Sequence, residues 1–260
     1  MRHTWDPERY LTYADERGRP FVELVARIGA EDPRAVVDLG CGPGNLTGLL
    51  KQRWPKADVT GLDSSPEMVD KARALDNGVT YDVADLRAWA SAGSTDDGAP
   101  VDVLVSNATL QWVPEHLDLL PELVSRVRAG GWFAFQVPGN FEEPSHTIRR
   151  DLAAEAPYAG QTAGVSTPDG HDAATYLRTL QPLMRSVDAW ETTYLHVIHG
   201  EDPVFTWVSG TGARPTLQAL DDELRPRFEA EFKARLRAAY PDHGHGVLLP
   251  FRRVFVVART

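Results

Sequence analysis

The run Val36-Val37-Asp38-Leu39-Gly40-Cys41-Gly42-Pro43-Gly44 constrains this chain more than any other stretch. Within it an apolar strand gives way to three glycines at alternate positions, and a helix is expected to open at Asn45. Glycine has no Cβ, so such a backbone turns sharply and lets a bound group approach the main chain. A strand, a glycine turn and a helix in that order form the first unit of a doubly wound α/β sheet. The spacing G-x-G-x-G is one residue tighter than the dinucleotide fingerprint G-x-G-x-x-G. An acid, Asp38, precedes the first glycine inside the strand.

The alternation continues downstream. Asp58 to Asp63 reads as a second strand ending in a carboxylate, with Ser65 as N-cap and Pro66 at the first position of the next helix. An acid at that strand end can accept both hydroxyls of a ribose. Val79 to Val83 reads as a third strand, followed by Ala84-Asp85-Leu86. Val101 to Val105 reads as a fourth, ending in Ser106-Asn107-Ala108 with Trp112 nearby. Asp38, Gly40, Asp63, Asp85 and Asn107 thus all fall at strand ends or in the loops after them, the edge where open α/β sheets bind ligands. Singly, each acid also reads as a helix cap or a solvated loop charge. Together, the five positions favour a nucleoside cofactor.

The block from Asp38 to Gly44 resembles motif I of the class I S-adenosylmethionine-dependent methyltransferases. That resemblance implies S-adenosylmethionine as cofactor, held by the turn of Asp38, Gly40, Gly42 and Gly44, with Asp63 on the ribose. It also implies Asp85, beside Leu86, at the adenine amino group, and Asn107 in the loop that covers the cofactor. The implied fold is Rossmann-like: a mostly parallel seven-stranded sheet with helices on both faces and a helical cap.

Composition narrows the alternatives. The 260 residues are 42% hydrophobic and 25% charged, ordinary values for a globular chain. A formal net charge of -10, with no Lys/Arg-rich run, argues against nucleic acid as a partner, because phosphate binding needs a basic surface. The one cysteine, Cys41, forms no intrachain disulfide and fits a reducing compartment. It reads as a small residue in a tight turn rather than a reactive thiol. No apolar run approaches the about 20 residues of a membrane span. The first residues, with Asp6, Glu8 and Asp15, do not read as a signal peptide. A cytoplasmic protein with no membrane partner is the expectation, and the oligomeric state is left open.

We expect one domain. Its core would cover about residues 35–138, with further strands near 187–197 and 251–258. Pro20 opens a helix whose Phe21, Leu24, Val25 and Ile28 share a face. Ahead of it, Trp5, Tyr10 and Tyr13 suit either a lid over the cofactor or packing on the core. Ser91 to Gly98 reads as a flexible loop. Pro114 to Ala129 reads as a helix stopped by Gly130-Gly131, before a strand from Trp132 to Val137. Two stretches, about 139–186 and 198–250, break the alternation and are expected to form the cap. Within the second, Phe228, Phe232, Leu236 and Tyr240 keep helical spacing and read as core. His243 and His245 sit in a glycine loop without a frame of cysteines or acids, so no metal is expected.

Five blocks are similar to the trans-aconitate methyltransferases, and together they run over nearly the whole chain. They are Trp5-Asp6-Pro7 with Tyr10-Leu11; Arg19-Pro20; Pro138-Gly139-Asn140-Phe141 leading to Pro144-Ser145-His146; Trp190 to His196; and Thr211 to Pro215 paired with Phe251 to Phe255. The resemblance implies esterification of a carboxylate of a small tricarboxylate. Carboxylates with a reference pKa of about 4 are ionised at neutral pH, so no general base and no catalytic acid–base residue is expected. The work is alignment of a trianion with the donor, best done by arginine–carboxylate pairs. Arg214 and Arg253, assisted by His146, Tyr194 and His196, are the candidates. Arg252 and Arg253 point to opposite faces of a strand, and Arg253 holds the family-like position. Rival readings are a methyltransferase for another small acid or natural product, a nicotinamide-dependent oxidoreductase, and a catalytically silent adenosine-binding module. The tight glycine spacing and the lack of a Tyr-x-x-x-Lys pair argue against the oxidoreductase.

Overall fold

Near-continuous apolar runs build the centre of the sheet. In the computed structural model, which describes residues 18–92 and 100–260, β1 (Ala35–Leu39) and β4 (Val101–Asn107) are buried along almost their whole length. That is the pattern of parallel strands covered on both faces. They pair in parallel, Val36 opposite Val103 and Asp38 opposite Val105. On one side β2 (Asp58–Asp63) pairs with β1 and β3 (Thr80–Val83) with β2, both parallel. On the other, β5 (Val127–Pro138) pairs in parallel with β4. With β6 (Ser186–Ile198) and β7 (Val247–Arg259) the order is β3-β2-β1-β4-β5-β7-β6. Gly130 and Gly131 exchange backbone bonds with Thr260, and Gly139 donates to Arg252, so β7 runs antiparallel to β5. The expected seven-stranded, mostly parallel sheet is present. Trp5, Asp6, Pro7, Tyr10, Leu11 and Tyr13, and residues 93–99, which include most of the loop expected from Ser91 to Gly98, lie outside the described residues.

A helix follows each strand from β1 to β6. Arg19–Ala26 forms α1, which buries Phe21, Leu24 and Val25 as its spacing predicts. The helix after the glycine turn, α2 (Thr47–Arg53), opens two residues later than expected. Gly44 sits at φ +77°, its N–H donating to the Cys41 carbonyl, so the chain is still turning at Asn45. Ser65 caps α3 (Pro66–Arg73) by accepting from the Met68 N–H, and Pro66 occupies the first turn. α4 (Leu86–Ser91) and α5 (His116–Ser125) complete this part.

One expected boundary is corrected. Gly130-Gly131 does not stop a helix; α5 ends at Ser125 and β5 starts at Val127. Val127 pairs with Val101, while Trp132 pairs with Val103, so extra β5 residues bulge out between them. Gly130 takes φ +78° in that bulge, and a Cβ on Gly131 would stand 2.9 Å from the Asp102 carbonyl oxygen. The glycines serve a close strand approach rather than a helix end.

The chain divides into two compact units. The first takes the described residues up to Val137 with His171–Glu191 and Val254–Thr260. Its core joins β1, β4 and β5 side chains to Leu119, Leu120, Leu123, Tyr176 and Leu180. α8 (Ala173–Leu180), which the sequence places in the first insertion, therefore packs with the sheet. Tyr176 is fully buried there, its hydroxyl 2.7 Å from His116 Nε2. The second unit comprises Pro138–Gly170 and Thr192–Arg253. It holds α6 (Pro144–Ala154), α7 (Ala159–Thr162), α9 (Pro203–Ser209), α10 (Arg214–Ala219) and α11 (Leu224–Ala239). Phe228, Phe232 and Leu236 of α11 are buried with Tyr158, Val204 and Val208, as their helical spacing predicts. Among the described residues no helix is long and apolar enough to cross a membrane.

Candidate active site

From β1 the sheet grows outward through β2 and β3 on one side and through β4 and β5 on the other. The carboxyl ends of β1 and β4 therefore flank the crevice where doubly wound sheets take ligands. Asp38, near the end of β1, is only 3% exposed. Its Oδ2 accepts from the Thr47 hydroxyl at 2.6 Å, while Oδ1 is buried with no hydrogen-bond partner among the described residues. Burial pushes this carboxyl up from 3.8 to about 6; the Thr47 bond opposes the rise and the nearby Asp63 charge adds to it. A buried acceptor left open in this way is a place for a ligand's donor.

The turn itself is latched to β2. Gly40 and Cys41 donate backbone bonds to the Leu62 carbonyl, and Gly42 donates to Asp63 Oδ2 at 2.8 Å. Gly40 stands at φ +81°, where a Cβ would come within 2.2 Å of the Thr109 side chain. Gly42 stands at φ +55°, yet a Cβ there would meet nothing within 4 Å. The turn is packed on one side and open on the other. Asp63 Oδ1 accepts from the Ser65 N–H at 3.0 Å. Each Asp63 oxygen has two lone pairs, so backbone bonds fix the group and still leave acceptor capacity. Cys41 is a poor nucleophile, its thiol pushed up to about 12 by burial and by Asp38 and Asp63.

The remaining first-unit candidates lie on the same sequence of strand ends. Asp85 is exposed and caps α4, accepting from the Ala88 N–H at 2.9 Å, so the bland helix-cap reading holds for one of its oxygens. Leu86 beside it is buried. Asn107 ends β4, its Oδ1 held by Gln136 Nε2 at 2.6 Å. The next residue, Ala108, takes a left-handed φ of +53°, strain of the kind that collects at functional loops. Its carbonyl accepts from Gln111 Nε2 at 2.6 Å. Sequence reasoning misses Thr47, Gln111 and Gln136, because nothing in their local pattern marks them. By contrast Asp102, near the start of β4, holds structure together. It accepts from the Arg34 and Ala35 N–H groups at 2.7 Å each and pairs with Arg128.

The acceptor-side candidates belong to the second unit. On β6 the usual alternation is inverted: Tyr194 and His196 are buried, whereas Leu195 and Val197 are exposed. The His196 ring stacks on Trp207 at 4.9 Å and lies 6.3 Å from the Tyr194 ring. Trp207 and His196 both contact Phe251, and the Arg253 guanidinium lies 4.5 Å over that ring. Arg253 is 9% exposed and Arg252 is half-buried, in keeping with opposite faces. Asn140 is buried with its Oδ1 unpartnered among the described residues. On α6, His146 is buried edge-on to Phe141, and a Cβ on Gly212 would stand 2.7 Å from its Cε1. Burial, then Arg149 and Arg150, push His146 down to about 4, so it is neutral at physiological pH. Arg214 is exposed at the start of α10 and makes no side-chain hydrogen bond or ion pair with the described residues.

Comparisons with known proteins identify the family. A family described as a methyltransferase domain matches residues 36–131, from β1 into the β5 bulge. The chain is 50% identical over 264 residues to a trans-aconitate 2-methyltransferase of Mycolicibacterium gilvum, covering 98% of this chain and 99% of that protein. It is 48% identical over 265 residues to a trans-aconitate 2-methyltransferase of Streptomyces avermitilis, covering 98% and 96%. Among solved structures, the YcgJ protein of Bacillus subtilis superposes with a TM-score of 0.58 at 11% identity, covering 92% of this chain and 96% of that one. The phosphoethanolamine N-methyltransferase 2 of Haemonchus contortus, in complex with phosphomonomethylethanolamine and S-adenosylhomocysteine, gives 0.52 at 13% identity, covering 91% and 51%. At these identities the likeness shows the fold.

Proposed function

Since the chain belongs to the trans-aconitate 2-methyltransferase family, we propose that it moves the methyl group of S-adenosylmethionine onto a carboxylate of trans-aconitate, releasing a monomethyl ester and S-adenosylhomocysteine. Its fold is the Rossmann-like class I methyltransferase fold. The observation that carries the reading is identity of about half over almost the entire chain, second unit included, rather than over the glycine turn alone.

The first unit's residues fit the donor. S-adenosylmethionine, when bound, supplies an electrophilic methyl group on a sulfonium. Asp63, fixed by the Gly42 and Ser65 N–H groups, takes the ribose hydroxyls with its remaining lone pairs. Asp38 Oδ1 accepts from an ammonium, whose charge favours the ionised carboxyl. Gly40, Gly42 and Gly44 keep the turn free of Cβ atoms. Asp85 and Leu86 receive the adenine, and Asn107, held by Gln136, borders the same strand ends.

Second-unit residues fit the acceptor. Its carboxylates are already ionised, so the chain need only hold and orient them. Arg253 pairs with one carboxylate, and Tyr194 and His196 donate hydrogen bonds beside it. His146, neutral because burial suppresses its charge, donates as well. Arg214, being exposed, contributes longer-range attraction for a trianion. The single cysteine and the absence of a membrane-crossing helix among the described residues support a cytoplasmic setting.

The test is S-adenosylhomocysteine formation with trans-aconitate, cis-aconitate and citrate in parallel. The highest kcat/KM is expected for trans-aconitate. A clear preference for another acceptor would overturn the substrate assignment.

A further inference from the structure

Helix α6 carries, one turn beyond His146, a cation that the acceptor reading leaves unused. Arg149 is 4% exposed, deeper than Arg253. Its Nη1 donates to the Thr216 hydroxyl at 2.7 Å, and its Nε is buried with no partner among the described residues. The nearby acid Glu142 pairs instead with the exposed Arg150, at 3.3 Å. The charge that acts on Arg149 is that of Arg150, and it adds to burial in lowering the guanidinium's pKa. Arginine keeps its proton even so. A buried cation with no anion to complete it is costly, and such groups are found paired or liganded.

The surroundings suit an anion. Arg149 and His146 share one face of α6, and the Arg149 charge is among the causes that hold His146 neutral. Thr216 fixes one arm of the guanidinium, and the buried Nε side is left without a hydrogen-bond partner among the described residues. No carboxylate is hydrogen-bonded to that side among the described residues. We propose that Arg149 binds a carboxylate of the acceptor through its Nε side, and that it sets the preference for tricarboxylates over dicarboxylates. This rests on the acceptor reading and deepens it. With Arg253, it supplies the second fixed cation that a trianion calls for.

The experiment measures steady-state kinetics with S-adenosylmethionine and three acceptors: trans-aconitate, glutaconate and methylfumarate, the last two each lacking one carboxylate. Wild type, Arg149→Gln, Arg149→Lys and Thr216→Val are compared. In Arg149→Gln the KM for trans-aconitate should rise roughly 100-fold, the usual scale for truncating one partner of a buried charge pair. The KM for S-adenosylmethionine should not change. Preference for trans-aconitate over one of the two dicarboxylates should shrink towards one, and Arg149→Lys should restore part of it. A purely structural role moves stability but not that ratio. An Arg149→Gln protein with wild-type affinity for S-adenosylhomocysteine and the full wild-type preference would overturn the proposal. Should that variant fail to fold, Thr216→Val decides on the same ratio: a several-fold drop supports the proposal and an unchanged ratio overturns it. If wild type binds S-adenosylhomocysteine but esterifies no trans-aconitate, the acceptor reading falls and the proposal falls with it.

Discussion

Replacing Asp38 by Asn should stabilise the cofactor-free protein at neutral pH while removing its affinity for S-adenosylmethionine. The Asp38 carboxyl ionises at 3.8 ordinarily and at about 6 in the fold, chiefly because burial disfavours its charge. Between those values the folded protein holds a proton that the unfolded chain has lost. Stability contributed by this group therefore falls as pH rises from about 4 to about 6, and stays lost above it. About 2 pKa units at about 1.4 kcal/mol each give roughly 3 kcal/mol. Asn keeps the shape and can still accept from the Thr47 hydroxyl, but it carries no charge. Urea unfolding of both proteins without cofactor, from pH 4 to pH 8, reads the difference. The two stabilities should converge near pH 4 and separate with rising pH, the variant ahead by up to about 3 kcal/mol at pH 7. Calorimetric titration should show cofactor binding lost in the variant, since Oδ1 is the buried acceptor awaiting a donor. Stability curves that stay parallel across this range would refute the reasoning.

Three further changes separate the parts of the site. Gly40→Ala adds a Cβ within 2.2 Å of Thr109 at a left-handed φ. A loss of roughly 2–5 kcal/mol is expected by thermal unfolding, and Thr109→Gly in the same chain should recover the steric part but not the backbone part. Asp63→Ala removes the acceptor for Gly42 and Ser65 and the acceptor proposed for the ribose. Calorimetry should show S-adenosylhomocysteine binding weakened about 100-fold or more. Arg253→Ala, in the second unit, should raise the KM for trans-aconitate by roughly 100-fold and leave the KM for S-adenosylmethionine unchanged, as read by initial rates. An unchanged trans-aconitate KM would remove Arg253 from the acceptor site.

The geometry of the turn proposed to hold the donor is legible in the sequence because its signals are local. A strand, three alternating glycines and an acid at the next strand end are short-range signals, and the turn with Asp38 and Asp63 lies where they place it. Long-range partners are not legible. Gln136 reaches Asn107 across the β4–β5 pair, and Thr47 reaches Asp38 across the turn. Gly130-Gly131 misleads for a related reason: glycines end helices and also make bulges, and only the pairing of Val127 with Val101 distinguishes the two. On β6 the polar residues Tyr194 and His196 occupy the buried face and Leu195 and Val197 the exposed one, a local inconsistency that supports their proposed acceptor role. Arg149 carries a signal of its own. It lies three residues before Leu152 and three after His146, on the buried face of a helix, where an arginine is out of place unless something pairs with it.

The most direct test of the central claim uses S-adenosylmethionine carrying a carbon-13 methyl group, with trans-aconitate as acceptor and the product followed by mass spectrometry and carbon NMR. The account predicts a monomethyl ester of trans-aconitate with the label in a methoxyl carbon, formed in step with S-adenosylhomocysteine. Label found on any other atom, or no ester from protein that binds S-adenosylhomocysteine, would contradict it.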